Sequence, residues 1–327
     1  MVPSRLAAAA LILVAFSESA FAVTIDWVSV GDIGNPAYVE PQFGFTTGSV
    51  SSPYQIGKYE VTNSQYAEFL NAKAASDPLG LYNIAMGSGH GGITRSGVSG
   101  SYTYASIDQR ENMPVNFVSF FDSARFANWL NNGQGSGDTE TGAYTLLGGT
   151  AVPTNADTVS RNAGALVFLP SEAEWFKAGY YRPGGGGTSA NPYWSDFPFA
   201  NLPYYGNVAV LISCGAPPGG SISANCGGVG DLTNVGSYFA APSFYGTFDQ
   251  AGNVEEWNDT NLGAYGRAFH GGSFAGGGTA IGQYYSLPEN EFDFGGFRLA
   301  ALPEPSTTLL VVSGAIGLGA ARRRRIG

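Results

Sequence analysis

The chain is poor in the side chains that most catalysis needs. Two cysteines and two histidines stand among 327 residues, too few for an iron centre built on several histidines. Charge is scarce at 12% of residues, and 15 basic side chains face 25 acidic ones. Nucleic acids and anionic membranes need clustered Lys and Arg, and the body of the chain has none. Long hydrophobic runs are missing too: Leu6–Phe16 and Thr307–Ala321 both fall short of the roughly 20 residues of a comfortable membrane span. In their place stand 48 glycines and 13% aromatics. That balance predicts a loop-rich fold held by aromatic packing rather than a helical bundle, and the length suits one large domain.

Both ends read as addresses. Residues 1–22 carry Arg5, the apolar run to Phe16 and the ending Ala20-Phe21-Ala22, the order of a secretory signal peptide cut after Ala22; a retained anchor helix is the alternative. At the other end, Pro303-Glu304-Pro305 precedes the apolar residues 307–321 and then Arg322-Arg323-Arg324-Arg325. An apolar stretch closed by cations stops translocation with the arginines inside. This order in residues 303–327 resembles the PEP-CTERM sorting signal of Gram-negative bacteria that make exopolysaccharide. The resemblance implies an exosortase as processing partner, transient anchoring in the inner membrane, and delivery to the cell surface or matrix; a plain tail anchor is the alternative. Loss of Arg5, Glu18, Glu304 and the four tail arginines takes the net charge from −10 to −13, a surface suited to divalent cations.

Cys214 and Cys226 lie close together in a Gly/Pro-rich segment without nearby Lys, Arg or His. In an oxidising compartment such a pair is expected to form a disulfide, contributing about 2–3 kcal/mol; a redox or metal role would call for an electropositive setting. Three helices are predicted. Thr62 and Gln65 form a capping box ahead of Tyr66, Phe69 and Leu70; Ser119 caps a helix with Asp122 in its first turn that stops at Asn131-Asn132-Gly133; and Ser171 with Glu174 caps a third. Strands are expected at Thr24–Val30, Tyr54–Gly57, Arg267–Phe274 and Gly295–Ala300. Asp77–Glu111 reads as loop with a hairpin. The glycine-rich Arg182–Ser189 lacks the context of a phosphate cradle.

Gly246-Thr-Phe-Asp-Gln-Ala-Gly-Asn-Val-Glu-Glu-Trp257 is the stretch around which the rest is organised. Asp249 and Glu256 supply hard oxygens, and a bend at Gly252 can turn the Gly252 and Val254 carbonyls inward. Calcium takes such mixed oxygen sets at about 2.3–2.6 Å. A plain Asx/Gly turn with a solvated acidic pair is the alternative.

Six landmarks fall in order: Ile56-Gly-Lys-Tyr-Glu-Val-Thr-Asn63, Met113-Pro-Val-Asn116, Leu169-Pro-Ser-Glu-Ala-Glu-Trp175, Gly252-Asn-Val-Glu-Glu-Trp257, Arg267-Ala-Phe-His-Gly-Gly-Ser273 and Gly296-Phe-Arg298. Together they resemble the formylglycine-generating-enzyme, or sulfatase-modifying-factor, domain over residues 23–302. The resemblance implies an α+β, irregular, loop-rich fold related to C-type lectins. It implies a calcium ion on Asp249, Gly252, Val254 and Glu256. A second calcium would use Asn201, Leu202 and a later acidic loop, where Asp231 is the candidate. The catalytic residues do not carry over: Gly276 and Ile281 stand where the family's enzymes place two copper thiolates, and a cuprous ion needs soft sulfur ligands. Copper is therefore not expected. Of the two histidines, His90 and His270, the second is expected to pack beside the Gly-Gly turn. Ser273 and Arg298 are the candidate ligand-binding side chains, with local hydrogen bonding for the serine and a buried ion pair for the arginine as the competing roles. The resulting expectation is an exported, calcium-stabilised, non-catalytic binding or structural module that meets exopolysaccharide or a surface protein and no nucleic acid. The alternative is a metal-dependent oxidase making formylglycine from a protein cysteine, or a related oxygenase.

Overall fold

The computed structural model describes residues 22–40, 44–186, 191–195, 213–220, 222–276 and 284–303. Among the described residues, twelve short strands and three α-helices are set between long irregular connections. In chain order the strands are β1 (Trp27–Val30), β2 (Tyr38–Val39), β3 (Thr46–Thr47), β4 (Tyr54–Gly57), β5 (Ile93–Ser96), β6 (Thr103–Ser106), β7 (Val167–Phe168), β8 (Glu255–Asn261), β9 (Arg267–His270), β10 (Tyr285–Ser286), β11 (Gly295–Gly296) and β12 (Ala300–Ala301). The helices are α1 (Asn63–Lys73), α2 (Phe120–Asn131) and α3 (Glu172–Tyr180).

All three helices begin as the sequence predicts, because each N-cap is a hydroxyl residue matched three positions on by a side chain that reaches back. Thr62 with Gln65, Ser119 with Asp122 and Ser171 with Glu174 each satisfy two otherwise orphaned backbone donors. Helix α2 is buried along almost its whole length. Its Phe126 packs 5.4 Å from Phe69 and from Phe297 and 5.9 Å from Tyr66, ring centre to ring centre. This aromatic knot ties α1, α2 and the C-terminal segment together.

One antiparallel sheet runs β1-β4-β12-β7, so a strand from the end of the domain lies between strands from its beginning and middle. The other runs β10-β9-β8-β11, with β11 parallel to β8 and the remaining pairs antiparallel. The hairpin expected between Asp77 and Glu111 is β5–β6, and a second hairpin is β2–β3. The expected strand at 267–274 ends at His270, and the one at 295–300 divides into β11 and β12. Strand β8 was not legible: its sequence Glu-Glu-Trp-Asn-Asp-Thr-Asn is polar and lacks β-branched residues except Thr260. It pairs with β9 and β11, and Trp257 and Glu256 find partners inside the protein. Among the described residues no helix is long and apolar enough to cross a membrane; residues 307–321 lie outside them.

Truncating Phe126 to alanine should destabilise the domain by about 3–5 kcal/mol, the cost of a large core aromatic. Denaturant unfolding measures this, and an unchanged midpoint would show that the knot is not the centre of the core.

Candidate functional site

The stretch around Gly252 is a crossing point of buried charge. Asp249 and Asn253 both adopt left-handed backbone, with φ of 63° and 65°, a conformation that Asn and Asp tolerate better than other side-chain-bearing residues. Between them Gly252 is obligatory, since a Cβ there would lie 2.3 Å from the Asn225 carbonyl oxygen. The turn delivers Glu256 to the interior at the start of β8. There the Arg298 guanidinium grips it with both arms, Nε to Oε2 at 2.5 Å and Nη2 to Oε1 at 2.6 Å. Trp175 of α3 adds an indole N–H to Oε2 at 2.8 Å. Arg298 gives its remaining donors to the carbonyls of Gly57, Lys58 and Phe248. Its role is the buried ion pair; fully enclosed and with these donors engaged, it offers no clamp for an external ligand.

Two further carboxylates adjoin this pair. Glu60 is buried, accepts from Asn253 Nδ2 through one oxygen, and its Oε2 has no partner. Burial and then the neighbouring charge of Asp249 push its carboxyl well above the usual range. Asp249, partly exposed at one edge, accepts from the Gly236 N–H at 2.6 Å. Burial raises its carboxyl to about 6, with the Glu256 charge adding to the effect and Arg298 opposing it. Three carboxylates therefore share one guanidinium, an imbalance a divalent cation would relieve. A recess of about 10 Å³ beside Asp249, lined by Ser223, Tyr238 and Gln250, has room for one water-sized particle. Of the described residues expected to hold calcium, only Asp249 lines this recess, and Glu256 is already committed to Arg298 and Trp175. No group of three or more His, Cys, Asp or Glu side chains converges as a metal cage among the described residues. Any ion here would depend on backbone carbonyls such as those of Gly252 and Val254.

Strand β9 runs into a tight turn. Ser273 donates its hydroxyl to the Gly276 carbonyl at 3.2 Å and is buried, so it bonds locally and does not face a ligand. His270 is buried as expected before Gly271-Gly272, stacked on Trp175 with ring centres 5.6 Å apart. Its Nε2 lies 3.2 Å from Glu172 Oε1. Asn201, Leu202 and Ile281 lie outside the described residues.

The Sulfatase-modifying factor enzyme 1-like domain model matches residues 40–301. The chain belongs to this family. A crystal structure of CarF shares 23% identity, covers 86% of this chain and 99% of its own, and superposes with a TM-score of 0.56. Treponema denticola variable protein 1 gives 20%, 87%, 98% and 0.53 for the same measures. Both likenesses speak to the fold. No curated protein matches the chain.

Within the sulfatase-modifying factor scaffold, the turn after Gly271-Gly272-Ser273 places a glycine at 276. A Cβ added to Gly276 would meet nothing within 4 Å. Cys214 and Cys226 are joined in a disulfide. Gly227 follows the bridge directly, and a Cβ there would lie 3.4 Å from Gly276 Cα. Asp231 is engaged otherwise than as a calcium ligand: both its oxygens take a bidentate Arg110 at 2.9 Å, and Oδ1 also meets His90 Nδ1 at 3.0 Å and the Leu232 N–H at 2.8 Å. His90 itself escaped notice as a site residue. The available signal was a scarce imidazole in a loop, followed by Gly91-Gly92.

Two outcomes are expected. Arg298→Met strands Glu256 inside the protein and should cost about 3–5 kcal/mol, measured by denaturant unfolding. For Asp249, a carboxyl raised from 3.8 to about 6 on folding adds stability that is complete below pH 3.8 and lost as pH rises through about 6. In chelator, the melting temperature of Asp249→Asn minus that of the wild type should therefore grow from pH 4 to pH 7.5. A flat difference would show that Asp249 does not titrate in this range.

Proposed function

We propose that the protein is an exported, non-catalytic binding or structural module on the sulfatase-modifying factor scaffold. Its terminal segments direct it through a secretory signal and an exosortase to the cell surface or exopolysaccharide matrix. The observation that carries the reading is the disulfide: the chain has only two cysteines, and they are bonded to each other. The family's copper chemistry needs a pair of free thiolates, and Gly276 supplies no ligand in one of the two positions. Calcium is the proposed counter-ion of the Glu60, Asp249 and Glu256 group, held by Asp249 and the Gly252 and Val254 carbonyls. The acidic surface supports a polyhydroxylated or cation-bridged partner over an anionic one, with exopolysaccharide ahead of a surface protein.

The family's name supports the competing reading, an oxidase that converts a protein cysteine to formylglycine, so the two are tested together. The processed protein, loaded with cuprous or ferrous ion and given a cysteine peptide, should consume no oxygen above the metal-only control. It should bind the host's exopolysaccharide, and calcium at pH 7.5 should raise its melting temperature by several degrees in the wild type but not in Asp249→Ala. Peptide-dependent oxygen uptake would overturn the non-catalytic reading. A melting temperature indifferent to calcium would remove the ion.

A further inference from the structure

The imidazole of His90 is built into place more thoroughly than a surface side chain requires. Its ring lies on Phe274, centre to centre 4.6 Å, directly after Ser273. Its carbonyl accepts from Arg110 at 2.8 Å and from Asn116 at 3.1 Å. The backbone that follows is pinned, since a Cβ at Gly91 would lie 2.3 Å from the Met86 carbonyl oxygen and one at Gly92 2.0 Å from Asn63 Nδ2. Asp231 is fixed in turn, by the bidentate Arg110 and by Asn225 Nδ2 on its carbonyl. Yet the His90 side chain keeps 38% of its surface open. Beyond Phe274 the chain reaches Gly276, where an added Cβ finds only open space, and Gly227 lies alongside.

We infer that His90 is the polar anchor of a ligand site at the Phe274–Gly276 turn, and that its ligand is a neutral, hydroxyl-rich sugar. This rests on the reading of the protein as a binding module and names its contact residue. Burial alone would raise the Asp231 carboxyl, but the hydrogen bonds from Arg110 and His90 more than reverse this and hold it at about 2. An ionised carboxylate only accepts, so the Nδ1 hydrogen is directed at Asp231 and Nε2 is the ring atom left for a ligand. A sugar hydroxyl both donates and accepts, so it can pair with Nε2 in either role. Arg110 spends its charge on Asp231 and is not available to a uronate or phosphate. A Cβ at Gly276 would meet nothing within 4 Å, so a sugar ring can reach the backbone there. His90 is a binding residue here; Asp231 and Arg110 position it.

The test is binding of the full processed protein to an array of neutral and uronate-containing oligosaccharides, with imidazole ¹⁵N spectra recorded on the best binder. Only two histidines contribute to those spectra. Neutral sugars should bind and shift His90 Nε2. His90→Ala should lose about tenfold or more, one hydrogen bond's worth, without a change in melting temperature, and His90→Gln should recover part of the loss. Asp231→Asn should weaken binding and change the His90 Nδ1 resonance. Unchanged binding by His90→Ala overturns the site and leaves the glycan reading standing. Preference for uronates overturns the ligand class. No binding by the wild type, with His90 Nε2 unmoved by any sugar, overturns both readings.

Discussion

The fold depends on one buried ion pair. Glu256 enters from β8 and Arg298 from the segment between β11 and β12, so the interaction links the two main sheets. Trp175 brings α3 to the same carboxylate, and the carbonyls of Gly57 and Lys58 bring in the end of β4 and the chain beyond it. In a protein of short strands and long loops, regular hydrogen-bond ladders cannot hold the parts in register by themselves. A charge pair that must be matched because it is dry supplies that specification. Whatever the surface loops do, this crossing stays fixed.

What the sequence revealed followed from how local each signal is. Capping boxes lie within four residues, and all three marked the residue at which their helices begin. In Gly252-Asn-Val-Glu-Glu-Trp257 oxygens and a glycine concentrate in the sequence, and the structure buries the Glu256 carboxylate there. Its partner was harder to read: a guanidinium 42 positions away takes the carboxylate oxygens, and no spacing rule connects them. Strand β8 was missed for a related reason, since Glu256, Asp259 and Thr260 meet partners from distant segments that a period-two pattern does not display. The His90–Asp231–Arg110 constellation draws on three segments, two of them up to 141 positions apart, and only folding brings them together.

The two cysteines bond to each other and close residues 214–226, and Gly227, the first residue beyond the bridge, lies beside the turn at Gly276. The aromatic knot of Tyr66, Phe69, Phe126 and Phe297 carries the interior, which leaves the loops free to vary.

On the proposed export route, the position of β12 between β4 and β7 bears on the order of events. A polypeptide crossing a membrane from its N-terminus presents β1, β4 and β7 well before Ala300 and Ala301 arrive to join them. The first sheet then waits, incomplete, until the end of the domain has passed through. A C-terminal segment that pauses in the membrane would hold those last residues at the exit while the sheet closes over them. Folding and release would be coupled by topology, with detachment favoured only once the strand nearest the tether is already locked in place.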